Sequence, residues 1–162
     1  MLFCLDTNVF ITSKNFYYPF DFAPAYWEML EQNFKSGTIF SHSEVYKELT
    51  RGDDELSQYM KDNKELNWFL EIVDEDTQNV YAQIVRYVYA NYKENEAIKF
   101  MSGADPWLIA ACKTREATLV TKELYKPEAK KVLIPNICKQ FDVDYIDDFA
   151  MIRELKAKFV LE

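Results

Sequence analysis

Histidine is almost missing from this chain, with His42 the only one among 162 residues. Sites built on several imidazoles are therefore excluded, and a Ser-His-Asp triad would have to rest on that single ring. Cysteine is scarce too. Cys4, Cys112 and Cys138 are odd in number, far apart and each set in an apolar segment. That pattern argues for reduced, buried thiols in a cytoplasmic protein, and against a disulfide framework or a zinc site. No apolar run approaches the roughly 20 residues of a membrane span, so no membrane partner is expected. The N-terminus lacks the charged-then-apolar order of a secretory signal. Positive charge is in deficit, with 19 Lys and Arg against 27 Asp and Glu and a formal net charge of −8. Taken at face value this argues against a general nucleic-acid binder, which needs clustered cations for phosphate contact.

Apolar and aromatic residues are plentiful, at 49% and 16%. A chain of this length can bury a full core without staples and is expected to form one domain, residues 1–162. The apolar run Leu2-Phe3-Cys4-Leu5 reads as a short buried strand ending on Asp6-Thr7-Asn8. An aromatic segment, KNFYYPFDFAPAYW, leads into a helix carrying Tyr26, Trp27, Leu30 and Phe34, with Gly37 placed to end it. Thr38-Ile39-Phe40 reads as a second strand, and Ser41-x-x-Glu44 is a capping-box pattern for the helix that follows. A third strand is expected around Phe69–Val73 and an amphipathic helix over 77–92. A further helix should open at Asp105, followed by the strand Thr118–Thr121. The apolar run Val132-Leu133-Ile134, then Tyr145-Ile146 and a charged helix from Phe149 to about Lys158, complete the chain. Strands alternating with helices point to an α/β domain with a mostly parallel sheet, whose functional residues belong just beyond the carboxyl ends of its strands.

Four acids stand at such places. Asp6 follows the first strand, and Glu123 lies two residues beyond Thr121. Asp105 opens a helix ahead of Pro106, where it could equally be an ordinary cap. Glu48 lies in the helix after the second strand, and at about 100° per residue it sits about 60° from Val45, flanking the apolar stripe. Carboxylates gathered at one end of a sheet repel one another unless one takes up a proton or a cation neutralises them. Hard oxygen donors without histidine or thiolate suit Mg²⁺ or Mn²⁺.

LDTNVF, SEVYKEL, SGADPWLIAAC and ATLVTKE, in that order, resemble the four acidic motifs of PIN domains, metal-dependent nucleases found as the VapC-like toxin half of toxin–antitoxin pairs. The fuller pattern, with YYPFDFAPAYW, ADPWLIA, LVTKE and IPNIC, resembles one branch of PIN-like proteins and runs from residue 2 to about 155. The resemblance implies a three-layer α/β/α sandwich and hydrolysis of single-stranded RNA. It also implies an antitoxin partner and a metal site of Asp6, Glu48, Asp105 and Glu123. Glu123 stands where PIN domains usually have Asp and is one methylene longer, so it would reach the metal directly or through water. Glu44, one turn before Glu48, competes for the second position. Thr7 and Asn8 are expected to orient Asp6, with Thr121 steadying the other side. Lys122, Lys126, Lys130 and Lys131 could hold RNA phosphates. Phe16, Tyr17, Tyr18, Phe20 and Phe22 could stack bases, though packing or a homodimer interface suits most of them better.

Two other readings follow from the same residues. Glu123 in place of Asp, with the acidic balance, is compatible with a PIN-like RNA- or protein-binding module without catalysis. Asp6 as the nucleophile of a haloacid-dehalogenase-like phosphatase would need a second Asp two residues on, where the chain has Asn8.

Overall fold

A computed structural model describes residues 1–160. Five parallel strands form one sheet in the order β3-β2-β1-β4-β5. They are β1 (Phe3–Leu5), β2 (Ile39–His42), β3 (Phe69–Leu70), β4 (Thr118–Val120) and β5 (Tyr145–Ile146). The three residues of β1 are all buried, as a central parallel strand covered on both faces requires. The edge strands β3 and β5 have two residues each, which limits the unpaired backbone they expose.

The helices are α1 (Thr7–Thr12), α2 (Pro24–Lys35), α3 (Ser43–Leu49), α4 (Glu55–Asp62), α5 (Glu75–Asn91), α6 (Glu94–Met101), α7 (Asp105–Arg115), α8 (Ile134–Gln140) and α9 (Asp148–Glu154). From β1 the chain steps outward to β2 and β3, then returns over the sheet to β4 and β5 on the other side. α5, α6 and α8 pack against α7, while α1 and α4 pack against α3, the two groups that the right-handed crossover rule assigns to opposite faces of the sheet. The result is the three-layer α/β/α arrangement, with all strands parallel. The strand order reverses between β1 and β4, which opens a crevice beyond their carboxyl ends.

Gly37 (φ +74°) ends α2 as expected, its N–H donating to Phe34 O at 3.1 Å. The capping box does not form. His42 is the N-cap of α3, and its Nδ1 accepts from Glu44 N at 3.1 Å. Ser41 Oγ instead donates to Leu5 O at 2.6 Å, tying β2 to the end of β1. The third strand stops at Leu70, and the last helix ends at Glu154, short of Lys158. Val132-Leu133 forms no strand; it leads into α8, with Pro135 in the first turn.

The aromatic segment packs mainly on itself. Tyr18 stacks on Tyr26 at 4.1 Å and Phe20 lies against Trp27 at 4.5 Å, while Phe16 and Phe22 remain exposed. All three cysteines are buried and free. Among the described residues no helix is long and apolar enough to cross a membrane.

Candidate functional site

The register of the sheet sets the floor of the site. Leu5 pairs with Val120, so the next residues, Asp6 and Thr121, leave the sheet side by side. Asp6 N donates to Val120 O at 3.0 Å, and Thr121 Oγ1 donates to Asp6 Oδ2 at 3.1 Å. Asp6 occupies the N-cap position of α1, yet its side chain makes no cap hydrogen bond. Asp105 is not a cap either. Ala104 holds that position in α7, Asp105 is the first helical residue, and its carboxylate accepts no hydrogen bond among the described residues. The capping explanation for both aspartates therefore fails on geometry.

The glutamates are held firmly. Glu48, in the last turn of α3, accepts from Ala104 N at 2.9 Å through Oε1 and from Thr7 Oγ1 at 2.5 Å through Oε2. It thereby takes one of the free N–H groups at the start of α7, across 56 residues of chain. Gly103 permits this approach, because a Cβ there would lie 3.1 Å from Glu48 Oε1. Glu123 accepts from Ile134 N at 2.7 Å and does the same for the start of α8. Thr121 Oγ1 also accepts from Glu123 N at 3.1 Å, so one threonine braces both Asp6 and Glu123. Thr7 serves both acids, its hydroxyl donating to Glu48 Oε2 and its backbone N–H to the Asp6 carboxylate.

Asp6, Glu48, Asp105 and Glu123 line one cavity of about 440 Å³ at the crevice between β1 and β4, together with Thr7 and Asn8. Glu44 is not among the lining residues; it pairs with Lys47 at 2.5 Å. Burial, then the charges of Glu123 and Glu48, push Asp6 up to about 7 against the lowering effect of Thr121 and the Thr7 backbone. Burial, then Asp6, Glu123 and Glu48, push Asp105 up to about 8, with Lys131 pulling the other way. Both aspartates are therefore pushed toward their protonated forms, and a bound cation would push them back.

Among the described residues no three Asp, Glu, His or Cys side chains stand as a ready-made group able to hold a metal ion. The donor set nevertheless suits a hard divalent cation. It is all carboxylate oxygen, its buried members lack hydrogen-bonded cationic partners, and the cavity has room for water to complete a shell.

His42 takes no part. Its Nδ1 accepts from Glu44 N, so Nε2 carries the proton and donates to Ile72 O at 3.2 Å. Burial holds its pKa below the usual value, and the ring stacks on Trp107 at 5.6 Å.

The lysines after β4 divide. Lys122 is turned inward, paired with the fully buried Asp148 and lying over the rings of Tyr17 and Phe149. Only Lys131 of the four lines the acid cavity, where Arg51 and Lys99 join it from the far side of the sequence. Neither of these two had a local signal, since nothing in their own segments ties them to the acids.

A five-stranded parallel sheet with acids at its switch point is a PIN-like fold, and solved structures agree. The chain is similar to one in the crystal structure of VapBC2 from Rickettsia felis bound to a DNA fragment from their promoter. That match has a TM-score of 0.52 and 18% identity, over 91% of this chain and 98% of that one. It is also similar to a chain in the structure of FitAB bound to an IR36 DNA fragment, with a TM-score of 0.54 and 20% identity over 90% and 94% of the two chains. No curated protein matches it. The chain belongs to the family described as a domain of unknown function, DUF4411, whose model matches residues 3–159.

Proposed function

We propose that this protein is a metal-dependent endoribonuclease that hydrolyses phosphodiester bonds of single-stranded RNA, and that it is the toxin of a toxin–antitoxin pair. The observation that carries the reading is the pair of aspartates at helix starts that cap nothing and face the same cavity as two braced glutamates. Natural proteins keep crowded, protonated carboxylates at a strand-end crevice where the crowding has a use. The PIN-like fold and the VapBC2 and FitAB likenesses favour the toxin role and an antitoxin partner.

Mg²⁺ or Mn²⁺, when bound, would lower the pKa of a water and offset charge developing on the phosphoryl oxygens. Asp6 and Asp105 would supply oxygens to hold such an ion, each giving up any proton it carries. Glu48 and Glu123 lend negative charge from fixed positions, their geometry set by Ala104 N and Ile134 N. Thr121 keeps one Asp6 oxygen turned toward β4. The chain needs no protein nucleophile and no histidine base, consistent with a His42 whose two nitrogens are both occupied.

The test is cleavage of single-stranded RNA by purified protein with Mn²⁺ or Mg²⁺, against Asp6→Asn and Asp105→Asn prepared in parallel. The reading requires metal-dependent cleavage that EDTA abolishes and that both variants lose. Equal cleavage by wild type and both variants, with contaminating ribonuclease excluded by a metal-free control, would refute the catalytic assignment. No cleavage by wild type, with RNA still bound, would leave the binding-module alternative.

A further inference from the structure

The cavity of the four acids is rimmed by cations that the fold assembles from separate segments. Arg51 lies in the turn between α3 and α4, Lys99 in α6, and Lys131 in the loop before α8. All three are exposed. Arg51 and Lys131 form no ion pair among the described residues, and Lys99 pairs only with Glu96 of its own helix, at 3.1 Å. Lys122, by contrast, is 18% exposed and committed to Asp148. Of the run of lysines after β4 only Lys131 lines the acid cavity, and Arg51 and Lys99 join it from separate elements.

We propose that Arg51, Lys99 and Lys131 bind the backbone phosphates of single-stranded RNA on either side of the bond presented to Asp6 and Asp105. This rests on the ribonuclease reading and names how its substrate is held. A chain of net charge −8 repels RNA at long range. Electrostatic reach in physiological salt is only about 8 Å, so the charges at the cavity mouth decide the approach. The five carboxylates that line the cavity, Glu96 among them, would by themselves exclude a phosphodiester. Three cations on their rim, from three elements, offset that repulsion and fix the path of the strand over the acids. Arg51 adds the planar fork that binds two phosphate oxygens at once.

Phosphate contacts have a specific signature, since each one lost lowers the slope of log K against log salt by about 0.7 for a single strand. The experiment measures binding of a short labelled single-stranded RNA over a salt series, with Ca²⁺ in place of Mg²⁺ and RNA integrity checked on a gel. Arg51→Gln, Lys99→Gln and Lys131→Gln should each flatten the slope by about 0.7, and the triple variant by about 2. Lys113→Gln, at the opposite end of α7 from Asp105, should leave it unchanged. Exposed Lys or Arg to Gln changes preserve the fold, which matching melting curves would verify. Wild-type binding whose slope none of the three changes alters would overturn the inference and leave the ribonuclease reading standing. Failure of the wild type to bind or cleave any single-stranded RNA would overturn both.

Discussion

The aspartates and the glutamates of the cavity are held in opposite ways. Glu48 and Glu123 come from the end of one helix and from a loop, places where an acid is usually solvated. Each instead accepts a backbone N–H at the start of a distant helix. Asp6 and Asp105 sit at helix starts, where an Asp is usually a cap, and neither caps. At α7 the capping work has passed to the remote Glu48, which leaves Asp105 free of it. A carboxylate bound to a backbone N–H at a helix start has a settled geometry. Burial and the neighbouring acids instead raise the pKa of Asp6 and Asp105, so both take up protons more readily than solvated carboxylates do. On the proposed reading the glutamates build the wall, and the aspartates carry the reactivity.

The largest test of this division is a pair of substitutions. Asp105→Asn should lower metal-dependent RNA cleavage by at least about 100-fold, equivalent to roughly 2.7 kcal/mol of transition-state stabilisation. It should leave the metal-free protein no less stable, because no cap is lost and repulsion is relieved. Glu48→Ala removes the acceptor of two hydrogen bonds to a charged group, and the metal-free protein should lose about 1–3 kcal/mol in urea unfolding. Should Asp105→Asn destabilise as much as Glu48→Ala, the distinction between wall and reactive acids collapses.

Next in size is the pH response. Asp6 and Asp105, pushed up to about 7 and about 8 from 3.8, bind more protons folded than unfolded between pH 4 and 8. Metal-free stability should then be highest at the acidic end of that window and fall as pH rises through it. Thermal melts in EDTA at pH 5 and pH 8 measure the slope, and Asp105→Asn should flatten it. Added Mn²⁺ should raise the melting temperature more at pH 8 than at pH 6, since it competes with protons for the same oxygens. A metal-free protein that grows more stable toward pH 8 would contradict the raised values.

How much of this was readable beforehand depends on whether the signal was local. The strand-end position of Asp6 follows from an apolar run bounded by polar residues, and the parallel sheet from strands alternating with helices, whereas the β1–β4 pairing is a product of the fold. The four acids could be named from their ordered motifs. The capping box does not form because β2 runs on through His42, one residue past Ser41, so the histidine takes the cap and the serine turns to β1. Glu48 and Glu123 as remote acceptors, Lys122 as a buried partner of Asp148, and Arg51 and Lys99 at the acid cavity are products of tertiary packing. Their own neighbours in sequence carry no trace of them.

The smallest expected effect sharpens the same comparison at the backbone. Gly103→Ala would set a methyl 3.1 Å from Glu48 Oε1, where the carboxylate must yield by a few tenths of an ångström. Stability should fall by about 1 kcal/mol. Cleavage should fall only modestly, because the aspartates are undisturbed. A loss of cleavage as deep as that of Asp105→Asn would make Glu48 a reactive acid instead of a wall.

The three free thiols lend the molecule a built-in clock. Cys4 lies on β1 two residues before Asp6, and Cys112 and Cys138 are buried on α7 and α8, with burial holding both thiols well above their usual pKa. A sealed, protonated thiol reacts with a labelling reagent only while the protein is open around it. The rate at which each cysteine is modified therefore counts local openings of the strand and the two helices that frame the acids. Any ligand that closes the acid cavity must slow that count, whether or not RNA is ever cut.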